Sequence, residues 1–332
     1  MRIRKIAIVT GGLGFIGSHL VDLLIEQGLA VRIIDNLIGG RKNNLSHLNA
    51  RSGVEIIEKD IRDLRPNGSE FSGATYVFHL AGIGDIVPSI ESPDEYLDVN
   101  VRGTTKVLEA ARHAGVSRLV YAASSSCYGL AETPTKESAP IDPKYPYALS
   151  KYLGELVSFH WYQVYGLSVN SVCIFNAYGP RVRTKGAYGA VFGVFLKQRL
   201  EDKPLTIVGD GTQQRDFIHV KDVAKAFWLA SQTEVAGERF NIGAGMPISV
   251  NQLAELIGGQ VAYIPKRPGE PEVTLADIGK ARRILGWEPT INFREGVEEM
   301  LEEIELWRDA PLWDSESIAK STQLWFKFLD KS

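Results

Sequence analysis

Thr10-Gly11-Gly12-Leu13-Gly14-Phe15-Ile16-Gly17 stands between the short apolar run Lys5–Val9 (KIAIV) and an amphipathic stretch from Phe15 to Gln27. A strand that enters a glycine-rich turn and leaves as a helix is the local pattern of a dinucleotide fold. Gly11 permits the tight turn, Gly14 lets backbone approach a pyrophosphate, and Gly17 lets the helix lie close to the strand. The helix N-terminus then offers free N–H groups and the positive end of its dipole to the phosphates. The spacing is G-x-x-G-x-x-G, not the G-x-G-x-x-G of simple dehydrogenases.

The pattern continues outward from that turn. Gly28 closes the helix, and Ala30–Ile34 (AVRII) is the next strand, ending at Asp35. Asp35 lies 18 residues after Gly17. A carboxylate there accepts both hydroxyls of an adenosine ribose and repels a 2′-phosphate, which selects NAD over NADP. Arg41 is the competing signal, because a nearby guanidinium suits a phosphate. Asp60 and Ile61, in KDIRD, fall just past a third strand and are expected to border the adenine. Further strands are expected at Val54–Ile57, Tyr76–Leu80, Arg118–Ala122 and Ser168–Ile174, with helices at Pro93–Ala114 and Tyr147–Tyr165. This alternation predicts an α/β fold, a Rossmann-type doubly wound parallel sheet.

After Gly179 the rhythm changes. Pro and Gly become frequent, and helices are expected at Ala187–Leu200, Val220–Ser231, Val250–Ile257 and Phe293–Trp307, with no long sheet. The reading is a dinucleotide domain over residues 1–178 and a smaller mixed α/β substrate lobe over 179–332, some of whose segments return to the first core. The aromatic-rich end, APLWDSESIAKSTQLWFKFLDKS, reads as a terminal helix packed on the core.

Composition narrows the function. The 332 residues are 44% hydrophobic and 23% charged, a globular balance. A net charge of −3 gives no footprint for nucleic acid. No apolar run of about 18 residues predicts a membrane span. Two cysteines form no disulfide framework, so a cytoplasmic setting is expected. No metal site is expected.

Tyr147 and Lys151, in YPYALSK, are four apart on a helical pattern, so both side chains share one face. A nearby ammonium is expected to lower the phenol pKa and make Tyr147 a base near neutral pH. Ser124, Ser125 and Ser126 follow the strand RLVYAA at the carboxyl edge, where α/β ligands bind.

Through these residues the chain resembles the extended short-chain dehydrogenase/reductase superfamily, within it the nucleotide-sugar epimerase/dehydratase group. TGGLGFIGSHL, IIDNL, HLAG, NVRGT, YAASSSCYG, YPYALSKYLGE, FNAYGP, GDGTQQRDFIHVKDVA, RPGEPE and LGWEP occur in the order that group has them. The resemblance implies Ser124, Tyr147 and Lys151 as catalytic residues. It implies NAD on Thr10, Gly11, Gly14, Phe15, Ile16, Gly17, Asp35, Asn36, Asp60, Ile61, Leu80, Ala81, Gly82 and Asn100, together with Tyr147 and Lys151. It implies a nucleotide sugar, a UDP-sugar first, on Ser124, Ser125, Ser126, Asn176, Arg215, Arg267, Glu270 and Thr274. Two Arg and an Asn from separate loops suit a pyrophosphate; Arg215 has the bland alternative of an ion pair with Asp216. Cys173 replaces an Arg usual in the group, so a packing change is expected there.

In the group, dehydratases and decarboxylases carry a carboxylate in the two positions after the catalytic hydroxyl. Here those are Ser125 and Ser126, which resembles the 4-epimerase branch. The expected enzyme is an isomerase acting on UDP-glucose/galactose or UDP-N-acetylglucosamine/galactosamine through a 4-keto intermediate. Thr274 is small where group members gate the sugar's 2-substituent. A dehydratase or decarboxylase using another carboxylate such as Asp85, a UDP-glucuronate 4-epimerase and a ketosugar reductase are the alternatives. A homodimer through the helices near Pro93–Ala114 and Tyr147–Tyr165 is the family expectation.

Overall fold

The computed structural model of the chain describes residues 4–48, 53–184, 191–266 and 270–329. Its first half has the expected alternation: β1 (Ile6–Thr10), α1 (Phe15–Glu26), β2 (Ala30–Asp35), β3 (Val54–Glu58), β4 (Ala74–His79), α2 (Ile86–Glu91), α3 (Pro93–Leu97), α4 (Thr104–His113), β5 (Arg118–Ser124), α5 (Pro146–Tyr165) and β6 (Val169–Ile174). The strands form a parallel sheet in the order β3-β2-β1-β4-β5-β6, extended at the β6 edge by a seventh strand from the second half. The order reverses between β1 and β4, and the crevice beyond their carboxyl ends is where such sheets hold ligands. Central strands are buried on both faces, as the apolar runs of β5 and β6 require.

The helix expected over Pro93–Ala114 is broken up. Between α3 and α4 the turn Asp98–Gly103 is a π-helix, and α4 ends at His113. The wider turn puts Asn100 inside, where it is 2% exposed, and packs Gly103 so tightly that a Cβ would meet Ile61 Cδ1 at 2.6 Å. Such bulges occur frequently at functional sites.

The second half contains β7 (Asn176–Tyr178), α6 (Val191–Leu200), β8 (Leu205–Val208), β9 (Gln214–Arg215), β10 (Phe217–His219), α7 (Val220–Gln232), β11 (Glu238–Ile242), β12 (Ile248–Ser249), α8 (Val250–Ile257), β13 (Val261–Ile264) and α9 (Phe293–Glu302). Its strands pair in twos, except β11, which joins β6 in parallel as the seventh strand of the main sheet. Sequence reading missed β11 because five residues, ERFNI, carry too little pattern. α7 lies against α1, and Trp287, fully buried, donates to the Asp222 carbonyl at 2.9 Å. The second half thus contributes to the sheet core, and a separate apolar cluster around Tyr178, Phe192, Phe217 and Phe293 fills the smaller lobe. The helix expected to reach Trp307 stops at Glu302, and Ile304–Trp307 is a 3-10 turn. The chain ends in two short helices, α10 (Ser315–Ser321) and α11 (Gln323–Leu329). Of the helix expected from Ala187, residues 187–190 lie outside the described residues. Among those described, no helix is long and apolar enough to cross a membrane.

Candidate active site

A cleft of about 620 Å³ runs along the carboxyl edge of the sheet and under the smaller lobe. That volume suits a cofactor and a small substrate. Gly11, Gly14, Phe15, Ile16, Gly17, Asp35, Asn36, Asp60, Ile61, Leu80, Ala81 and Gly82 all line it. The glycines are required sterically: a Cβ on Gly17 would meet the Gly11 carbonyl oxygen at 2.1 Å, and one on Gly11, whose φ is +71°, would meet Ala81 N at 2.7 Å. This cradle fits a dinucleotide pyrophosphate. Asp35 is nearly buried, and its carboxylate accepts from Leu13 N at 3.0 Å and Leu37 N at 2.8 Å. Burial raises its pKa, with those two N–H groups opposing. Each oxygen keeps lone pairs for a ribose hydroxyl. The Asp60 carboxylate accepts from Arg62 and from Asn36 Nδ2, and the Arg62 bond holds its pKa down at about 2.

Arg41 is turned to a neighbouring segment of the chain. Its guanidinium donates to the Val182 carbonyl at 3.0 Å, the Thr184 hydroxyl at 3.3 Å and the Arg181 carbonyl at 3.4 Å. Those bonds tie the guanidinium to the 181–184 segment.

Thr10, Asn100 and Lys151 do not line the cleft; they support its wall. Buried Thr10 accepts from Ala81 N at 3.2 Å and bonds His79 Nδ1 at 2.7 Å. His79 Nε2 continues to Thr104 at 2.9 Å, and Thr104 donates to the Asn100 carbonyl at 2.7 Å. The Asn100 side chain exchanges bonds with Ile83 N and O, both at 3.0 Å, and donates to Ser150 at 2.9 Å. This fixes the loop after β4 where it passes the reaction centre.

Ser124 and Tyr147 both face the cleft. Ser124 ends β5, and Tyr147 and Lys151 sit one turn apart at the start of α5, which Pro146 opens at its first position. Burial raises the Tyr147 phenol above its ordinary value, and the Ser124 hydroxyl facing it pulls it partly back. The phenol is therefore shifted upward, opposite in direction to the depression expected from the Lys151 spacing. Burial also lowers Lys151 itself, to about 8, and its ammonium lies 4.5 Å from the centre of the Tyr121 ring. Ser126 bonds Ser124 at 2.8 Å, while Ser125 and Ser126 are not part of the cleft wall.

At the far end Asn176 lines the cleft, and its Oδ1 accepts from the Thr274 hydroxyl at 3.0 Å. Thr274 therefore backs Asn176 instead of facing the cleft directly. Arg215 donates to the Pro271 and Gln214 carbonyls, both at 2.9 Å, and lies 3.6 Å from Glu270 across a second depression. It does not pair with Asp216. That carboxylate is fully buried and accepts from Ala244 N at 2.5 Å, Ala276 N at 2.8 Å and Gly245 N at 3.3 Å. Burial pushes its pKa up to about 6. Arg267 lies outside the described residues. Cys173, fully buried, packs beside Cys127.

Sequence reading missed three groups. Arg183 lines the cleft with Asp85, 3.3 Å away. Tyr145 stacks on Tyr147. Ala310, Pro311 and Trp313 bring the end of the chain into the wall. Arg183 and the 310–313 segment arrive by tertiary packing, whereas Tyr145 is a sequence neighbour of Tyr147 at the start of α5.

Residues 7–243 match the model of the NAD-dependent epimerase/dehydratase family. The chain is similar to a UDP-glucose 4-epimerase of Mycolicibacterium smegmatis, 36% identical over 305 residues, covering 89% of this chain and 97% of that one. It is similar to the solved UDP-N-acetylglucosamine 4-epimerase of Methanobrevibacter ruminantium, with 34% identity and TM-score 0.85, over 92% of this chain and 98% of that one. The UDP-glucuronic acid 4-epimerase of Bacillus cereus, solved with UDP-glucuronic acid and NAD, is similar at 30% identity and TM-score 0.84, over 91% and 99%.

Proposed function

The chain belongs to the NAD-dependent epimerase/dehydratase family, and from that premise we propose that it is an isomerase, a 4-epimerase of UDP-sugars working through a transient 4-keto sugar. NAD, when bound in the glycine cradle, supplies the hydride acceptor and donor for sugar C4. Tyr147, as phenolate, takes the O4 proton and later returns it. Ser124 donates a hydrogen bond to the same oxygen. Lys151 stands one turn behind as the cationic support, and Asp35 accepts the adenosine ribose hydroxyls. Asn176, Arg215, Glu270 and Arg267 hold the nucleoside diphosphate, with Thr274 fixing Asn176.

The observation that carries the reading is the pair of serines directly after Ser124. Loss of water from C6 needs an additional acid and base beside the hydroxyl, and here Ser125 and Ser126 occupy those positions, with Ser126 bonded back to Ser124. The sugar proposed first is plain or 2-N-acetylated hexose. A uronate is the second reading. It is favoured by Arg183, a cation on the cleft wall. A homodimer through α3–α5 is proposed because Leu97, Leu149 and Leu156 are exposed apolar side chains on those helices; light scattering in solution tests it.

The test is NMR of the protein incubated separately with UDP-glucose, UDP-N-acetylglucosamine and UDP-glucuronate, with no NAD added. The expected result is the galacto epimer of one or more of them. A 4-keto-6-deoxy product or released carbon dioxide overturns epimerisation, as does no turnover even after NAD is supplied.

A further inference from the structure

The end of the chain crosses from the smaller lobe to the sheet domain beside the reaction centre. Two buried side chains of α6 anchor its start: Lys197 donates to the Arg308 carbonyl and Gln198 to the Trp313 carbonyl, both at 2.6 Å. Ala310, Pro311 and Trp313 then form part of the cleft wall. Asp314 and Ser317 cap α10 reciprocally, and Ile318 is buried in the smaller lobe's core. Beyond it α11 lies against α2, and Trp325 is buried with its ring centre 6.1 Å from that of Tyr145. Tyr145 in turn stacks on Tyr147, centres 6.4 Å apart and planes within 10°. The Tyr145 hydroxyl faces Ser126, whose own hydroxyl bonds Ser124. One side chain therefore stands beside the proton-transfer machinery on two sides, with its ring stacked on Tyr147 and its hydroxyl turned toward Ser126.

We propose that Tyr145 is a positioning residue for Tyr147 and Ser124, and that Trp325 holds it in place, which makes the terminal strap a working part of the active site. The inference rests on the reading of Tyr147 and Ser124 as the groups that meet sugar O4. A flat ring flanked on one face fixes the plane of Tyr147, and proton transfer is sensitive to that plane. A misplacement of about 1 Å costs on the order of 100-fold in rate. Asn176 and Arg215, proposed for the nucleotide, are positioned by bonds to Thr274 and Pro271 that the strap does not share, so binding should survive where turnover does not.

The test uses full-length protein carrying Trp325→Ala, Trp325→Phe or Tyr145→Phe. Trp325→Ala is expected to lower kcat about tenfold or more with little change in KM, and Trp325→Phe to restore most of it. Tyr145→Phe keeps the stack and loses the hydroxyl, so it should fall between. In parallel, NMR of protein labelled with 13C at tyrosine Cζ follows Tyr147, assigned by its loss in Tyr147→Phe. Its resonance should move in Trp325→Ala and return in Trp325→Phe. Wild-type kcat in both Trp325→Ala and Tyr145→Phe, or an unmoved Tyr147 resonance, overturns the proposal. So does a loss that Phe fails to rescue and that NAD binding shares. A wild-type protein that turns over no UDP-sugar refutes the functional reading alone, and the resonance comparison still decides the strap.

Discussion

The hydroxyls of Ser124 and Ser126 lie 2.8 Å apart, and the Ser126 N–H also points at Ser124 Oγ, at 3.3 Å. Ser126 is thus occupied in orienting Ser124, the hydroxyl that faces the cleft. Ser124→Ala removes a donor to the oxygen that loses its proton, and should cost about 10²–10³-fold in kcat. Ser126→Ala removes only an orienting contact and should cost less than about tenfold. Initial rates by NMR rank the two. Equal damage would mean that Ser126 itself meets the sugar.

Tyr147→Phe deletes a single oxygen. Turnover should fall by about 10³-fold or more. NAD binding should persist, because the glycine cradle and Asp35 are untouched; NAD released on denaturation measures it. A variant that keeps a tenth of wild-type turnover would rule out Tyr147 as the base.

Lys151 is held by burial at about 8, below its ordinary 10.5. The fold therefore penalises the ammonium at every pH below 8, and the penalty fades as pH rises toward 10. A difference of this size amounts to roughly 3 kcal/mol at neutral pH. Lys151→Met keeps the aliphatic stem and drops the charge. It should be inactive yet melt at a higher temperature than wild type at pH 7, with the gain shrinking toward pH 10. A lower melting temperature at pH 7 would show that the ammonium stabilises the fold on balance.

The acid side of the stability profile carries two opposing signs. Burial lowers His79 to about 3 and His19 to about 4. The unfolded chain takes up those protons below about pH 6.5 and the folded one resists, so stability is lost as pH falls. Asp216, pushed up to about 6, runs the other way and adds stability as pH falls through 6. Urea melts between pH 7 and 4.5 should show a flatter acid decline in His79→Gln and a steeper one in Asp216→Asn. Parallel declines in all three proteins would remove both groups from the account.

What was legible in the sequence was local. The glycine turn, Asp35 at a strand end and the Tyr147–Lys151 spacing are each read within one strand–turn–helix unit, and backbone geometry carries the glycines, Asp35 and Tyr147 directly into the cleft, with Lys151 behind its wall. What was not legible depends on partners far along the chain. Arg41 is a competing signal beside Asp35 in the sequence, and it is bonded to carbonyls some 140 residues away. An ion pair with adjacent Asp216 is the bland alternative to a substrate-binding Arg215, but adjacent residues in extended backbone point to opposite sides, and Asp216 turns inward to three backbone N–H groups. The π-turn at Asn100 has no periodic signature, and β11 is too short to announce its place in the sheet.

Asp35 has two tasks, and a pair of variants separates them. Its oxygens satisfy the N–H groups of Leu13 and Leu37, and a buried N–H left without a partner costs about 1–3 kcal/mol. Asp35→Ala should therefore lower the melting temperature even without cofactor, whereas Asp35→Asn, which retains one carbonyl oxygen, should lower it less. Both lose the charge that repels a 2′-phosphate, so both should shift preference from NAD toward NADP, as calorimetry on cofactor-stripped protein would measure. Arg41→Ala should leave that preference where it was, since the guanidinium is committed to the 181–184 segment. If Asp35→Asn retains the wild-type preference, Asp35 is a clamp for the loop and the 2′-phosphate is excluded by something else.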